Sequence, residues 1–122
     1  MTRIDSHKDL IVWQKGMDLA VEIYALTSKF PGSEAYRMTS QATRSAVSVP
    51  ANIAEGKARN TRKDYANFLA IAQGSLAETE TYVLLAVRLK YLSEQQAAPA
   101  LGLIDEVGRM LSALRARLTP RT

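Results

Sequence analysis

The sequence predicts an all-α protein, folded as an antiparallel up-down-up-down four-helix bundle with a proline kink in its second helix. Three observations indicate this fold: apolar residues recur at three- and four-residue steps, caps and breakers divide the chain into four stretches, and aromatic residues make up only 7%. A chain of 122 residues supports one core, so we expect a single domain, 1–122. Short connections favour antiparallel neighbours.

Caps and breakers delimit the first two helices. Ser6 or Asp9 starts the first helix, and a Phe-Pro-Gly breaker ends it. The second helix is predicted to begin at Ser33 and to end at Gly56, a residue type typical of the position after a helix C-terminus. Pro50 lies inside this helix, removes one backbone donor and is expected to bend it.

The third and fourth helices are defined in the same way. Asn60 or Thr61 caps the third helix, and apolar residues follow at helical spacing. Ser93, with a glutamine three residues later, forms a capping box that starts the fourth helix. Pro99 is expected to disturb the second turn of this helix, and Pro120 is expected to end it.

The predicted helices are apolar over more of their circumference than one core requires. In the first helix, the apolar positions beyond the core-facing stripe are Ile11, Val12, Leu19, Val21, Ile23 and Leu26. Such a surplus would leave an exposed apolar face on a monomer, so it indicates self-association into a homo-oligomer. The alternative is a broader apolar stripe that packs within one chain.

The residue content argues against an enzyme. The chain has no cysteine and one histidine, His7, which lies in the N-terminal lead, so histidine acid–base and thiol chemistry lack their residues. The sequence also lacks the Glu-x-x-His pairs of di-iron bundles and the glycine-rich motifs that cradle phosphates. We therefore predict no catalytic residues, no metal site and no cofactor.

The positive chemical signal is charge, because sixteen Lys and Arg residues against twelve Asp and Glu residues give a net charge of +4. Segment 57–63 carries four cations at the turn between the second and third helices, and a second cluster lies near the C-terminus. The candidates for nucleic-acid binding are Lys57, Arg59, Arg62, Lys63, Arg115 and Arg117, with Arg121 also in the second cluster. The alternative is a solvated surface whose cations pair with Glu55 or Asp64.

Several stretches of the sequence resemble a known family. They are VWQKGMDLAVEIY, LTSKFPGSEAY, QATRSAVSVPANIAEGKAR and DYANFLAIAQGSLAETE, and the most specific piece is SVPANIAEG followed by GSL. They resemble the four-helix-bundle protein family encoded in intervening sequences of bacterial 23S rRNA genes, sometimes labelled ribosomal. The resemblance implies a ring, usually a homopentamer, without an established catalytic site. It also implies similarity in fold to the accessory protein of diversity-generating retroelements, which binds a reverse transcriptase and nucleic acid.

The resemblance singles out motif positions, which in this chain are Arg44, Pro50, Asn52, Glu55, Gly56, Arg59, Gly74 and Ser75. We expect the proline and the first glycine to shape the second helix. Asn52 and Glu55 are expected to make polar contacts within or between subunits. Arg44 is expected to pair with a carboxylate such as Glu55 or Glu78. Relatives often carry a basic residue where this chain has Gln73, which makes the basic surface thinner here.

Two functions remain open on the sequence alone. In the first, the repeated basic turns of a ring bind the backbone phosphates of RNA or DNA without much sequence discrimination. In the second, the protein is an interaction scaffold or accessory subunit whose charge steers a protein partner. The N-terminal stretch is too short and too polar for a signal sequence or a membrane span, and the chain lacks cysteine, so we expect a cytoplasmic protein without a membrane role.

Overall fold

The computed structural model describes residues 6–119. Within that range the chain contains four α-helices and no strand. The α-helices are α1 (Ile11–Thr27), α2 (Ser40–Lys57), α3 (Arg62–Arg88) and α4 (Glu94–Leu118). A 3₁₀ turn, His7–Asp9, precedes α1, and a 3₁₀ turn, Gly32–Glu34, followed by a π-helical turn, Ala35–Thr39, leads into α2. The prediction of an all-α protein with four helices is confirmed.

The predicted caps are present, with one refinement at the N-terminus. Ser6 forms a capping box, but this box opens the 3₁₀ turn, whereas α1 begins at Ile11. Thr61 caps α3, because its hydroxyl accepts a hydrogen bond from the amide three residues later at 3.1 Å. Ser93 and Gln96 form the capping box predicted for α4. These side chains satisfy amides that have no partner within the helix.

The second helix differs from its prediction at both ends. The chain is helical near the predicted start at Ser33, but a π-helical turn intervenes and α2 itself begins at Ser40. In this turn the Glu34 carboxylate accepts a hydrogen bond from the amide of Met38 at 3.3 Å. At its other end, α2 continues one residue past Gly56, which has no positive φ. The prediction that Gly56 terminates the helix is therefore wrong.

Both internal prolines lie inside continuous helices. α2 runs through Pro50 and α4 runs through Pro99, so the disturbance predicted for α4 does not interrupt it. Each proline lacks an amide hydrogen, which leaves one carbonyl of the preceding turn without its helical donor. Pro50 faces α1 at Gly16, where an added Cβ would lie 3.4 Å from the Pro50 Cβ. The bend at Pro50 stays a prediction, and the helix end predicted at Pro120 lies outside the described residues.

The helices pack in cyclic order, with α1 on α2, α2 on α3, α3 on α4 and α4 on α1. Across the α2–α3 seam, Ser45 pairs with Thr79, whereas Gly56 meets Phe68. Residue numbers therefore rise along α2 as they fall along α3, which is an antiparallel register. α3 and α4 show the same reversal. This arrangement is consistent with an antiparallel bundle, in which the C-terminal ends of α2 and α4 lie beside the N-terminal ends of α1 and α3.

Apolar side chains from all four helices fill the space between them. The largest of the fully buried ones are Leu19, Ile23, Val49, Ile53, Leu69, Val107 and Leu111. Burial of each such side chain contributes about 1.5–3 kcal/mol relative to exposure. One polar pair shares this core: Ser45 and Thr79 are buried, and their hydroxyl oxygens are 2.8 Å apart.

Removing one hydroxyl of this buried pair is expected to destabilise the fold, and removing both is expected to cost less than the sum of the single changes. In Thr79→Val, the buried Ser45 hydroxyl keeps its hydrogen bond to the Ala42 carbonyl but loses its contact with the Thr79 hydroxyl. We expect this loss to lower the free energy of unfolding by about 1 kcal/mol. Ser45→Ala/Thr79→Val leaves neither hydroxyl behind. Urea denaturation at fixed protein concentration measures these free energies, and additive costs would contradict the coupling. Thr81→Val, at an exposed position, is the control with a change near zero.

Candidate nucleic-acid interface

The basic turn, residues 57–63, joins α2 to α3 and contains four cations and no carboxylate. Arg59, Arg62 and Lys63 are exposed, and Lys57 is half-buried in the last turn of α2. The turn ends at the first turn of α3, where the helix dipole adds partial positive charge. Cationic side chains and helix-start amides are the groups that bind phosphate oxygens in proteins.

Arg59 is engaged within the protein. Its guanidinium donates a hydrogen bond to the Glu55 carboxylate at 2.7 Å and lies 4.5 Å from the centroid of the Phe68 ring. A guanidinium held on both sides in this way connects the end of α2 to the second turn of α3. The ion pair with Glu55 is one that the alternative interpretation of the basic turn expected, whereas the contact with Phe68 was not predicted from the sequence. The role of Arg59 as a ligand contact stays a prediction.

The other three cations of the basic turn have no such contact. Among residues 6–119, Lys57, Arg62 and Lys63 form no ion pair with a carboxylate. Of the two carboxylates that the alternative offered as partners for the cations of the turn, Glu55 is paired with Arg59, and Asp64 forms no ion pair among residues 6–119. These three side chains are therefore available to an external anion.

The second basic cluster is divided between a packed arginine and an exposed one. Arg115 is half-buried, and its guanidinium donates to the side-chain carbonyl of Gln73, whose amide in turn donates to Ser112 at 3.0 Å. In the described part of the chain the Nε of Arg115 is buried without a hydrogen-bond partner. Arg117 is exposed, and Arg121 lies outside the described residues. Gln73 thus anchors Arg115 between α3 and α4.

The tertiary structure brings Arg117 of the second basic cluster to the same end of the packed helices as the basic turn. The start of α1 and the last turns of α4 line a common groove, in which Leu10 and Arg117 take part, and the His7–Asp9 turn packs on α2. We call this end the basic end. Among the described residues its cations are Lys8, Lys57, Arg59, Arg62, Lys63 and Arg117, and its carboxylates are Asp9, Glu55 and Asp64. Arg115 lies farther from this end, because its guanidinium donates a hydrogen bond to Gln73, eleven positions after Arg62 on α3.

The middle of the helices has the opposite charge balance. Among the described residues, the carboxylates there are Asp18, Glu22, Glu78, Glu80, Asp105 and Glu106, and the cations are Lys15, Arg44 and Arg109. Lys15 pairs with Glu106 at 3.1 Å and Arg109 pairs with Asp105 at 3.0 Å. A polyanion is therefore attracted to the basic end and repelled along the sides of the helices.

The aromatic residues of the basic end are mostly covered. Phe68 lies beneath Arg59, and Tyr65 is half-buried, which raises the pKa of its phenol. His7 and Trp13, both half-buried, form an edge-to-face pair with ring centroids 5.1 Å apart. This pair was not identified from the sequence as part of the site, because the chain separates it from the basic turn. The arrangement favours contacts to phosphate over stacking on bases.

The polar motif positions lie along the α2–α3 seam. The Asn52 side-chain amide donates to the Ser48 carbonyl at 2.8 Å and to its hydroxyl at 2.9 Å, and the Ser48 and Ser75 hydroxyls are 2.8 Å apart. The ion pair predicted between Arg44 and Glu55 or Glu78 is absent, because within residues 6–119 Arg44 forms no ion pair. Glu55 is unavailable to it because Arg59 occupies that carboxylate.

The two motif glycines have different surroundings. A Cβ added at Gly56 would lie 2.9 Å from the Phe68 Cβ and 3.2 Å from the Tyr65 carbonyl oxygen, so α2 and α3 approach closely there. A Cβ added at Gly74 would meet no atom within 4 Å. Gly56 therefore permits the close approach that positions the basic turn, whereas Gly74 lies on an exposed face of α3.

Arg59→Gln is expected to lower the free energy of unfolding by roughly 1 kcal/mol, because it removes both an i,i+4 ion pair and a cation–π contact. Arg62→Gln removes the same charge from a side chain without an ion pair and is expected to change stability by less than about 0.5 kcal/mol. Urea denaturation of both variants at one protein concentration makes the comparison. Equal stabilities would show that the contacts of Arg59 contribute nothing to the turn.

Neither a metal cluster nor a membrane-spanning helix occurs in the described part of the chain. Residues 6–119 hold no group of three or more His, Cys, Asp or Glu side chains that could bind a metal ion. Across the same residues, none of the helices combines the length and apolarity needed to span a membrane.

The four packed helices, the polar seam and the basic end define a small all-helical protein. The chain belongs to the 23S rRNA-intervening sequence protein family, whose model matches residues 8–113. The resemblance predicted from the motif residues is therefore confirmed.

Among solved structures, the chain is similar to a protein of unknown function from the S23 ribosomal protein family of Bacteroides thetaiotaomicron VPI-5482. The two are 28% identical with a TM-score of 0.80, and the alignment covers 86% of this chain and 98% of that one. No curated protein sequence matches the chain significantly. Neither the family description nor this neighbour indicates a catalytic family.

Proposed function

We propose that this protein is a non-catalytic homo-oligomer that binds the phosphate backbone of RNA or DNA through its basic end. The observation that carries the proposal is that Arg117, distant in sequence from the basic turn, lies at the same end of the helices as that turn, while the middle is acidic. Lys57, Arg62 and Lys63 are the proposed phosphate contacts, with Arg117 extending the surface. Binding releases counterions from the nucleic acid and therefore weakens as salt rises.

Assembly into a ring would multiply this surface. On one face of α1, the apolar residues Met17, Val21 and Tyr24 are 42%, 69% and 57% exposed, which supports burial of that face against another copy. We propose the homopentamer that the family resemblance implies. Repetition of the basic end around a ring lets individually weak phosphate contacts act together.

The second candidate function is a protein-interaction scaffold or accessory subunit. Tyr36 favours it, because this side chain is 96% exposed in the π-helical turn at the end opposite the basic end. Aromatic residues are enriched among the anchors of protein interfaces. In this alternative the positive charge only steers an acidic partner.

The remaining parts of the proposal concern the chain as a whole. We propose that it is a single domain, 1–122, that acts in the cytoplasm without a cofactor or a membrane role. We also propose that Pro50 bends α2. The single histidine and the absence of cysteine support the non-catalytic assignment.

The proposed function is tested by measuring RNA and DNA binding to the purified protein across a salt series, with the oligomeric mass determined on the same sample. The expected result is a linear fall of log affinity with log salt, with a slope of about 0.7–0.9 for each phosphate contact. An intact oligomer that does not bind at low salt would overturn the proposal in favour of the scaffold.

A further inference from the structure

A polar cleft of about 300 Å³ lies between α2 and α3, away from the basic end. It is lined by Gln41, Arg44, Ser45, Ser48, Ser75 and Glu78, all of which are polar. Its residue Ser75 is thirteen positions after Arg62, which corresponds to about 20 Å along α3. The polar cleft is therefore separate from the proposed phosphate contacts.

At the floor of the cleft, the hydroxyls of Ser48 and Ser75 have two protons but only one acceptor between them. The Ser48 hydroxyl accepts from Asn52 at 2.9 Å and lies 2.8 Å from the Ser75 hydroxyl. One proton joins the two serines, whichever of them donates it, and in the described part of the chain neither hydroxyl donates to a backbone carbonyl. The second proton is therefore free to donate to an acceptor in the cleft.

The rim of the cleft carries one charge of each sign. Arg44 and Glu78 are exposed and are not within ion-pair distance of each other. Both act on Tyr82: partial burial and the Glu78 carboxylate raise the pKa of its phenol, and Arg44 opposes them. The Tyr82 hydroxyl is 3.5 Å from Glu78, which is a long hydrogen bond. Arg44 and Glu78 both line the cleft, so the two opposite charges border the same space without pairing with each other.

Polar side chains line this part of the seam, although apolar side chains pack beside it. Neighbouring positions on the same helices, such as Val49 and Ala72, are fully buried and apolar, so apolar residues pack well here. Partly buried hydroxyl and amide groups stabilise a helix interface less than apolar packing does unless every hydrogen bond is made. Polar groups retained where apolar ones fit are typical of binding sites.

We infer that the polar cleft binds a small zwitterion of the α-amino-acid class. The carboxylate of the ligand accepts from Arg44 and from the free serine hydroxyl, and its ammonium group donates to Glu78. A simple anion would be repelled by Glu78, and a simple cation would be repelled by Arg44, so only a ligand with both charges satisfies both sides. This inference goes beyond the proposed nucleic-acid binding and does not depend on it.

The test is a titration of ¹⁵N-labelled protein with glycine, followed by ¹H–¹⁵N NMR, with acetate and methylammonium as ligands that carry only one of the two charges. We expect saturable shifts confined to residues around the cleft for glycine, and affinities at least about tenfold weaker for acetate and methylammonium, since each lacks one charge-assisted contact. Equal affinity for acetate and glycine, shifts spread over the surface, or no saturable binding of glycine would overturn the inference.

Variants locate the site. Arg44→Gln and Glu78→Gln are each expected to weaken glycine binding by about tenfold, and Ser75→Ala is expected to weaken it by a smaller factor while leaving both charges in place. Glu80→Gln and Arg88→Gln remove the same charges from exposed side chains that do not line the cleft, and they are the matched controls. Unchanged glycine binding in both Arg44→Gln and Glu78→Gln would also overturn the inference.

Discussion

Lys57→Gln/Arg62→Gln/Lys63→Gln is expected to lower RNA and DNA affinity by about 100-fold at low salt, with the oligomeric mass unchanged. We expect each of the three phosphate contacts to contribute about 1 kcal/mol to the binding free energy. A tenfold change in the dissociation constant corresponds to about 1.4 kcal/mol, so the loss of all three contacts gives about a 100-fold change. The slope of log affinity against log salt is expected to fall by about 0.7–0.9 for each cation that no longer neutralises a phosphate. The measurement is a binding titration repeated over a salt series. Arg59 is left intact because its interactions with Glu55 and Phe68 hold the turn.

The matched control removes the same charge from the opposite end. Lys29, Arg37 and Arg88 are exposed near the C-terminal ends of α1 and α3 and the start of α2. Lys29→Gln/Arg37→Gln/Arg88→Gln has the same net charge as the triple variant of the basic turn. We expect it to keep most of the affinity and the salt slope. If both triple variants weaken binding equally, net charge and not the basic end determines binding, and the proposed interface is wrong.

Gly56→Ala is expected to lower the free energy of unfolding by about 1–3 kcal/mol, the usual cost of overpacking a well-packed site. The added Cβ would lie 2.9 Å from the Phe68 Cβ and 3.2 Å from the Tyr65 carbonyl oxygen. These atoms belong to or adjoin the α3 backbone, so a side-chain rotation cannot relieve the contact and the helices must separate. Since replacing a helical glycine by alanine is otherwise favourable by about 1 kcal/mol, a net decrease in stability reports the steric cost. Urea or thermal denaturation at fixed protein concentration measures it.

Gly74→Ala is the control, and it is expected to raise the free energy of unfolding where Gly56→Ala lowers it. It lies within α3 and meets no atom within 4 Å, so the variant is expected to gain about 0.5–1 kcal/mol from helix propensity. Both variants place the same methyl group in a helix, and only the surroundings differ. If Gly56→Ala were as stable as Gly74→Ala, the close approach of α2 and α3 would not be a constraint on position 56.

The sequence predicted most of the helices because their signals are local. Thr61 and Ser93 cap their helices through hydrogen bonds to amides three residues later, and such bonds depend only on nearby residues. The predicted end of the second helix failed at Gly56 because that position is decided by contacts with α3. At the predicted start near Ser33 the chain is helical, but a 3₁₀ turn and a π-helical turn precede α2, which begins at Ser40. A glycine near a helix end is typical of a terminator, but here the neighbouring helix requires it.

The sequence predicted the cations of the candidate site but not the contacts that those side chains make in the folded protein. The four cations of the basic turn are adjacent in the chain, so composition alone identifies them. The contact of Arg59 with Phe68 joins the basic turn to α3, and the contacts of Arg115 with Gln73 and of Ser48 with Ser75 join residues on different helices. Sequence spacing does not specify which faces of two helices meet.

The sequence by itself thus determined an all-α chain of four helices, its family membership and a cluster of cations between α2 and α3, because periodicity, caps and motifs are properties of neighbouring residues. Only the tertiary structure decided that Arg117 lies at the same end as the basic turn, that acidic residues occupy the middle, and that the polar cleft forms between α2 and α3. These features depend on the antiparallel packing of the helices, which brings together residues that are far apart in the chain.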